Sequence, residues 1–153
     1  MILISACLCG KNCKYNGGNN THPHFVAMYN NKEVLPVCPE ELGGLSTPRK
    51  PCEIRGGTGL DVLKNLARVV NTENINESSK FIKGAQETLK IARDNQIDLA
   101  ILQDRSPSCG VGVIYDGTFS KNLTRGDGVT AAALRQSGVN VITAADYLHN
   151  KGV

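Results

Sequence analysis

The chain has 153 residues, 41% of them apolar and 20% charged, which allows one sizeable core and excludes a disordered tail or a fibrous protein. Lys and Arg number 17 against 14 Asp and Glu, and a net charge of +3 is too small for the continuous basic stripe of a dedicated nucleic-acid binder. No stretch approaches the length of a membrane-spanning helix, and the opening Met1-Ile-Leu-Ile-Ser-Ala-Cys7 is too short and lacks the basic start of a signal peptide, so a cytoplasmic setting is expected.

Residues 2–8 form a short apolar run ended by Gly10, Lys11 and Asn12, which predicts a buried first strand that delivers Cys7 to a loop. Residues 16–20 read as loop, and so does the Thr21-His-Pro-His24 segment. Residues 33–37 predict a second strand, with Pro36 pointing to an edge position because proline cannot donate to a ladder. Between Gly43 and Gly59 the density of glycine and proline forbids regular structure and predicts a loop able to wrap a bound group. Residues 66–70 suggest a short strand, followed by a helix over 77–95 with Asn76 as its cap. Ile82, Ala85, Leu89 and Ala92 recur at helical spacing, so that face should pack on a sheet. A strand over 97–102 then completes a strand–helix–strand order, which calls for a right-handed crossover and parallel pairing. Residues 111–115 suggest an extended piece before an Asp116-Gly117 turn, 129–136 a helix stopped by Gly138, and 139–143 a last strand. The expected fold is a single small α/β domain over 1–153, its mostly parallel sheet flanked by helices in a Rossmann-like arrangement.

In a reducing compartment six cysteines favour metal or catalytic chemistry over a disulfide framework. Cys7, Cys38 and Cys109 each lie at or just beyond a predicted strand end, and in an open parallel sheet the carboxyl ends line one crevice. One such cysteine alone would read as a small core residue; three in the same context point to a shared site. No Cys-x-x-Cys pair occurs, which disfavours a closed zinc knuckle. Cys9 is expected to point into the core, and Cys13 and Cys52 to be unligated thiols near the site. Three thiolates with one vacant position suit an open metal centre, either zinc or an iron-sulfur cluster, and a ligand set without imidazole leans toward the cluster. His22 and His24 read as loop residues and His149 as surface. Glu40 and Glu41 follow Cys38, while Ser106 and Ser108 precede Cys109; a carboxylate there can move protons and a hydroxyl can orient water, although both patterns are also ordinary turn composition. Gly110-Val-Gly112 lacks the third glycine of a dinucleotide fingerprint, and no phosphate-binding P-loop occurs.

Taken together, Ser5-Ala-Cys-Leu8 with Gly10, Lys14-Tyr-Asn-Gly17, Pro36-Val-Cys-Pro-Glu40, Gly43-Gly-Leu45, Thr47-Pro-Arg49, Ser106-Pro-Ser-Cys-Gly110 and Tyr115-Asp-Gly-Thr-Phe119 closely resemble the thiouracil desulfidase family. The resemblance implies an oxygen-sensitive 4Fe-4S cluster with three cysteine ligands, Cys7, Cys38 and Cys109, and one open iron. It implies proton transfer by Glu40, a supporting hydroxyl on Ser106, and substrate contacts at Ser108 and Arg49, with Ser106 and Ser108 competing for the catalytic part. The implied reaction is non-redox: an iron acts as Lewis acid on a thiocarbonyl sulfur, water adds to the ring carbon, and uracil and hydrosulfide are released. Lys14 and Asn16 stand where the family often shows Arg and Asp, and residues 21–32 are shorter than the family's usual helical insert. Relatives acting on thiolated tRNA carry a further domain, so a small-molecule thiolated pyrimidine is the expected substrate rather than tRNA. A zinc-dependent nucleobase hydrolase is the nearest rival, disfavoured by the missing Pro-Cys-x-x-Cys and His-x-Glu; a non-catalytic iron-sulfur or sulfur carrier is the other.

Overall fold

A computed structural model describes residues 1–153. In chain order its elements are β1 (Ile2–Ser5), a 3-10 turn (Ala6–Cys9), α1 (Pro23–Asn30), β2 (Val34–Val37), α2 (Pro39–Leu42), β3 (Cys52–Arg55), α3 (Gly59–Leu63), β4 (Arg68–Asn71), α4 (Ser78–Asp94), β5 (Leu99–Leu102), β6 (Val113–Tyr115), β7 (Leu123–Arg125), α5 (Val129–Gln136), β8 (Asn140–Thr143) and α6 (Ala144–Asn150). Four of the strands form one sheet in the order β2-β1-β5-β8, parallel throughout. The two inner strands are apolar on both faces, as strands covered by helices on either side must be. Leu3, Ala100 and Leu102 face one core with Ala92, Ala131 and Leu134 from α4 and α5. Ile4 and Ile101, one residue out of step, face the other with Phe25, Met28 and Tyr147 from α1 and α6. No helix is long and apolar enough to cross a membrane.

Pro36 lies on an edge strand as expected, since β2 has β1 as its single neighbour. The first strand is shorter than its apolar run: after Ser5 the chain tightens into the 3-10 turn and Gly10 closes it in the left-handed region, φ 95°. Thus Cys7 sits in a turn rather than on a strand. The strand expected at 66–70 is β4, yet it does not join the main sheet. It pairs antiparallel with β3, a strand hidden inside the glycine-rich stretch, so the crossover expected from it through α4 into β5 is absent. The parallel neighbours are instead joined through α1, between β1 and β2, and through α5, between β5 and β8. The β3–β4 hairpin survives outside the sheet because Ile54 and Val69 pack on Phe81, Ala85, Val129 and Ala133.

The long helix begins one residue late, at Ser78, so Glu77 and not Asn76 takes the cap position, without a side-chain cap bond, while Asn76 Oδ1 accepts from the Ser78 amide at 2.9 Å one residue earlier. Its buried stripe is Phe81, Ala85, Thr88 and Ala92, with Ile82 and Leu89 half-buried at its margins. The expected loop around His22 and His24 is the start of α1: Pro23 takes the first helical position and His22 Nδ1 accepts from the His24 amide at 3.1 Å. His149 lies exposed on α6.

Candidate active site: thiols at the carboxyl ends of three adjacent strands

Cys7 follows β1, Cys38 follows β2 directly, and Cys109 lies in the loop after β5. These strands are neighbours in the sheet, so the three thiols meet at one end of it. Cys7 and Cys109 are buried and Cys38 partly so, and all six cysteines are free thiols.

Close backbone packing sets the position of each segment. Cys38 is the N-cap of α2, which is pressed onto α4 at two glycines: a Cβ on Gly84 would stand 2.0 Å from the Pro39 carbonyl oxygen, and one on Gly43 would stand 1.9 Å from that of Lys80. The Cys109 loop is held by the start of α5. The amide of Val129 donates to the Pro107 carbonyl at 2.7 Å, and those of Thr130 and Ala131 donate to the Ser108 carbonyl at 2.9 and 3.1 Å. These bonds satisfy the amides that a helix start leaves unpartnered. Gly128 makes the approach possible, since a Cβ there would lie 2.5 Å from the Ser108 carbonyl carbon.

The acid–base candidates join this cluster. One Glu40 oxygen accepts from the Ser108 hydroxyl at 2.7 Å, and the other accepts from Arg49 Nε at 3.0 Å. Ser108 Oγ lies 3.7 Å from Cys109 Sγ and 3.3 Å from Ser106 Oγ, and Ser106 Oγ accepts from the Cys109 amide at 2.8 Å. A hydrogen-bonded row therefore runs from Glu40 through Ser108 to Ser106, beside Cys109. Glu41, one step round the helix, is exposed and bonds to the Thr47 hydroxyl instead. Ser108 is buried and Ser106 half-buried, so Ser106 is the more open end of the row.

The sulfurs sense one another. Cys13 is buried in the same apolar cluster as Cys7, and the Cys38 thiol donates to its carbonyl at 3.7 Å. A hydrogen bond from Cys13 holds the Cys7 thiol below its ordinary range, against burial and the neighbouring sulfurs. For Cys13 a hydrogen bond from Cys38 favours the thiolate, but its own bond to Cys7 and its burial prevail and push it up to about 11. Hydrogen bonding to Cys13, then burial, drives Cys38 upward. Burial pushes Cys109 up to about 12, against hydrogen bonds from Ser5 and Ser108.

The donor set fits an iron-sulfur cluster. Its atoms are soft sulfurs, and two of them have side-chain donors within reach, Asn20 Nδ2 at 3.7 Å from Cys7 and Ser108 Oγ at 3.7 Å from Cys109. No imidazole joins them: His22 and His24 pack around Phe25. No three His, Cys, Asp or Glu side chains are grouped tightly enough to share one ion, whereas a cluster spreads its thiolates over separate irons.

Cys9 is half-buried with its thiol toward the Phe25 carbonyl, 3.8 Å away. Cys52 lines a cleft of about 780 Å³ with Tyr15, Ser46, Arg49, Lys50 and Lys80, on the outer side of Arg49. Two residues, and the inward role of a third that the resemblance names as a substrate contact, escaped the sequence reading. Asn20 is one of several asparagines in a loop, and nothing in the sequence marks it out. The inward commitment of Arg49 depends on a loop without regular structure. The other residue is Glu53, whose buried carboxylate accepts from the amides of Gly117 and Phe119 at 2.9 and 3.1 Å, so the Tyr115–Phe119 motif anchors β3.

Fold and site together define a small α/β enzyme that gathers thiols, a carboxylate and hydroxyls at the carboxyl ends of a parallel sheet. The family model described as 2-thiouracil desulfurase matches residues 2–146, and the chain belongs to that family. It is 45% identical over 143 residues to YbbK, an uncharacterized protein of Bacillus subtilis strain 168, covering 94% of this chain and 95% of that one. A solved structure of the 4Fe-4S-dependent thiouracil desulfidase TudS superposes with a TM-score of 0.84 at 33% identity, over 99% of this chain and 98% of that one.

Proposed function

We propose that this chain hydrolyses the carbon–sulfur bond of a thiolated pyrimidine, thiouracil or its nucleoside or nucleotide, and releases uracil and hydrosulfide. The observation that carries the reading is the hydrogen-bonded row Glu40–Ser108–Ser106 beside Cys109. Cys7, Cys38 and Cys109 would hold a 4Fe-4S cluster, which supplies when bound an open iron as Lewis acid toward the thiocarbonyl sulfur.

The chain's own residues do the proton work. The Glu40 carboxylate accepts from Ser108, and Ser108 neighbours Ser106, so a proton leaving a water at Ser106 passes along the two hydroxyls to Glu40. The same route returns a proton to the departing sulfur, so that water and thiouracil yield uracil and hydrosulfide with no change of oxidation state. Burial of Cys109 and Ser108 keeps bulk water from the row. The cleft outside Arg49 leaves room for a sugar attached to the base.

The test is anaerobic reconstitution followed by metal analysis and assay with 2- and 4-thiouracil. About four irons per chain and release of hydrosulfide are expected. Stoichiometric zinc without iron would move the reading to a hydrolase, and a loaded cluster that binds sulfide without turnover would make the chain a carrier.

A further inference from the structure

Arg49 lines the open cleft but turns most of its side chain inward, away from it. Its side chain is 7% exposed, and the chain itself uses most of its donors. Nε donates to Glu40 at 3.0 Å, one terminal nitrogen donates to the Thr47 hydroxyl at 2.7 Å and the Ser46 carbonyl at 3.2 Å, and the other donates to the Cys13 carbonyl at 2.8 Å. A guanidinium has five N–H groups, so one hydrogen remains. The main-chain amide of Arg49 also donates to the Tyr15 carbonyl at 2.7 Å.

From this arrangement we infer that Arg49 is a positioning residue, which fixes the rotation of the Glu40 carboxylate and ties the Cys13 loop to the Thr47 turn, and does not bind substrate. Glu40 has two oxygens with two partners, Arg49 on one side and Ser108 on the other. Arg49 holds the first oxygen, so the second is aimed along the hydroxyl row. Only a planar fork reaches Glu40, Thr47 and Cys13 together; a lysine ammonium keeps the charge and loses the geometry. Misplacement of a catalytic group by about 1 Å costs on the order of 100-fold in rate.

The activity measurements rest on the desulfuration reading, and the exchange measurement does not. In reconstituted protein, Arg49→Met should keep about four irons per chain, lower kcat on the order of 100-fold, and leave KM within about twofold. Arg49→Lys should still lose at least about tenfold in kcat. In the Glu40→Gln background, adding Arg49→Met should change kcat by less than about threefold, because the arginine acts through that carboxylate. In iron-free protein, hydrogen exchange at residues 13–17 should quicken in Arg49→Met. A tenfold rise in KM with kcat preserved would make Arg49 a substrate ligand. A full further loss in the Glu40→Gln background, loss of iron, or unchanged exchange at 13–17 would each overturn the inference. Wild-type protein that carries iron but releases no hydrosulfide would instead overturn the function, and the exchange result would stand.

Discussion

Gly84 sits in the middle of α4, where helix propensity alone says that alanine should stabilise by about 1 kcal/mol. The packing says the opposite. A Cβ there would lie 2.0 Å from the Pro39 carbonyl oxygen and 2.9 Å from its carbon, where ordinary contact begins near 3.4 Å, so backbone must retreat by more than an ångström. Neither neighbour can yield cheaply, since Gly43 of the same α2 segment is itself closed against the Lys80 carbonyl. Overpacking of this kind costs about 1–3 kcal/mol, and with backbone on both sides the upper part of that range applies. After the propensity gain, Gly84→Ala should destabilise the iron-free protein by roughly 1–2 kcal/mol, or about 2–8 °C in Tm for a chain of this length. Activity should fall further than stability, because the shifted segment carries Cys38 and Glu40. Thermal and urea unfolding of the iron-free variant, with iron content and turnover after reconstitution, test this. Ser79→Ala, on the exposed side of the same helix, is the control and should be neutral. A Gly84→Ala midpoint at or above that of the wild type would refute the packing argument and leave propensity in charge.

Glu40→Gln should retain the cluster and lose on the order of 100-fold or more in desulfuration, as expected for a proton-transfer group; equal iron loss would make Glu40 part of the scaffold. Cys109→Ala should lose iron and activity together, measured by metal analysis and visible absorbance. Ser108→Ala, which breaks the bond joining the hydroxyl row to Glu40, should cost more activity than Ser106→Thr, which keeps a hydroxyl; the reverse order would put water activation elsewhere. Cys52 lines the open cleft, yet burial and then the charge of Glu40 push its thiol up to about 12, so it should alkylate at least about tenfold more slowly at pH 8 than a free thiol. Its rate should climb with pH toward that value, since only the thiolate reacts, and a plateau near pH 9 would contradict the assignment.

The four strands of the main sheet were legible because each is a short run rich in apolar residues, most fully so in β1 and β5, which are covered on both faces, and the rule that ligands gather at their carboxyl ends groups Cys7, Cys38 and Cys109 from sequence alone. β3 and β7 were not legible. Cys52–Arg55 lies between Pro51 and Gly56-Gly57, and Leu123–Arg125 is exposed at all three residues, so neither carries a hydrophobic period. Without β3 in view, β4 had no antiparallel partner and was drawn into a crossover that the hairpin replaces. The helix α1 was hidden by the Thr-His-Pro-His segment, whose proline starts a helix here rather than ending one.

Which serine meets Glu40 could not be read from residues 106–109 alone, because the direction of a side chain in a turn follows the backbone, and this backbone is set from outside. The carbonyls of Pro107 and Ser108 accept the first amides of α5, and Gly128, some twenty positions later, lets the two segments touch. The bonds that complete a helix start therefore also orient Ser108 toward Glu40 and Cys109 toward the other thiols. From the opposite side Gly84 and Gly43 seat α2 on α4 and bring Glu40 to meet it. The site is thus built by two close backbone contacts, each made possible by a glycine, Gly84 or Gly128, that is distant in sequence from the residues it positions. Gly128→Ala should accordingly act on the Cys109 loop as Gly84→Ala acts on α2, lowering iron retention after reconstitution, while Gly138, which has open space around it and closes a turn at φ 92°, should affect stability alone when replaced. Equal iron retention in the Gly128 and Gly138 variants would show that the contact with α5 does not govern the site.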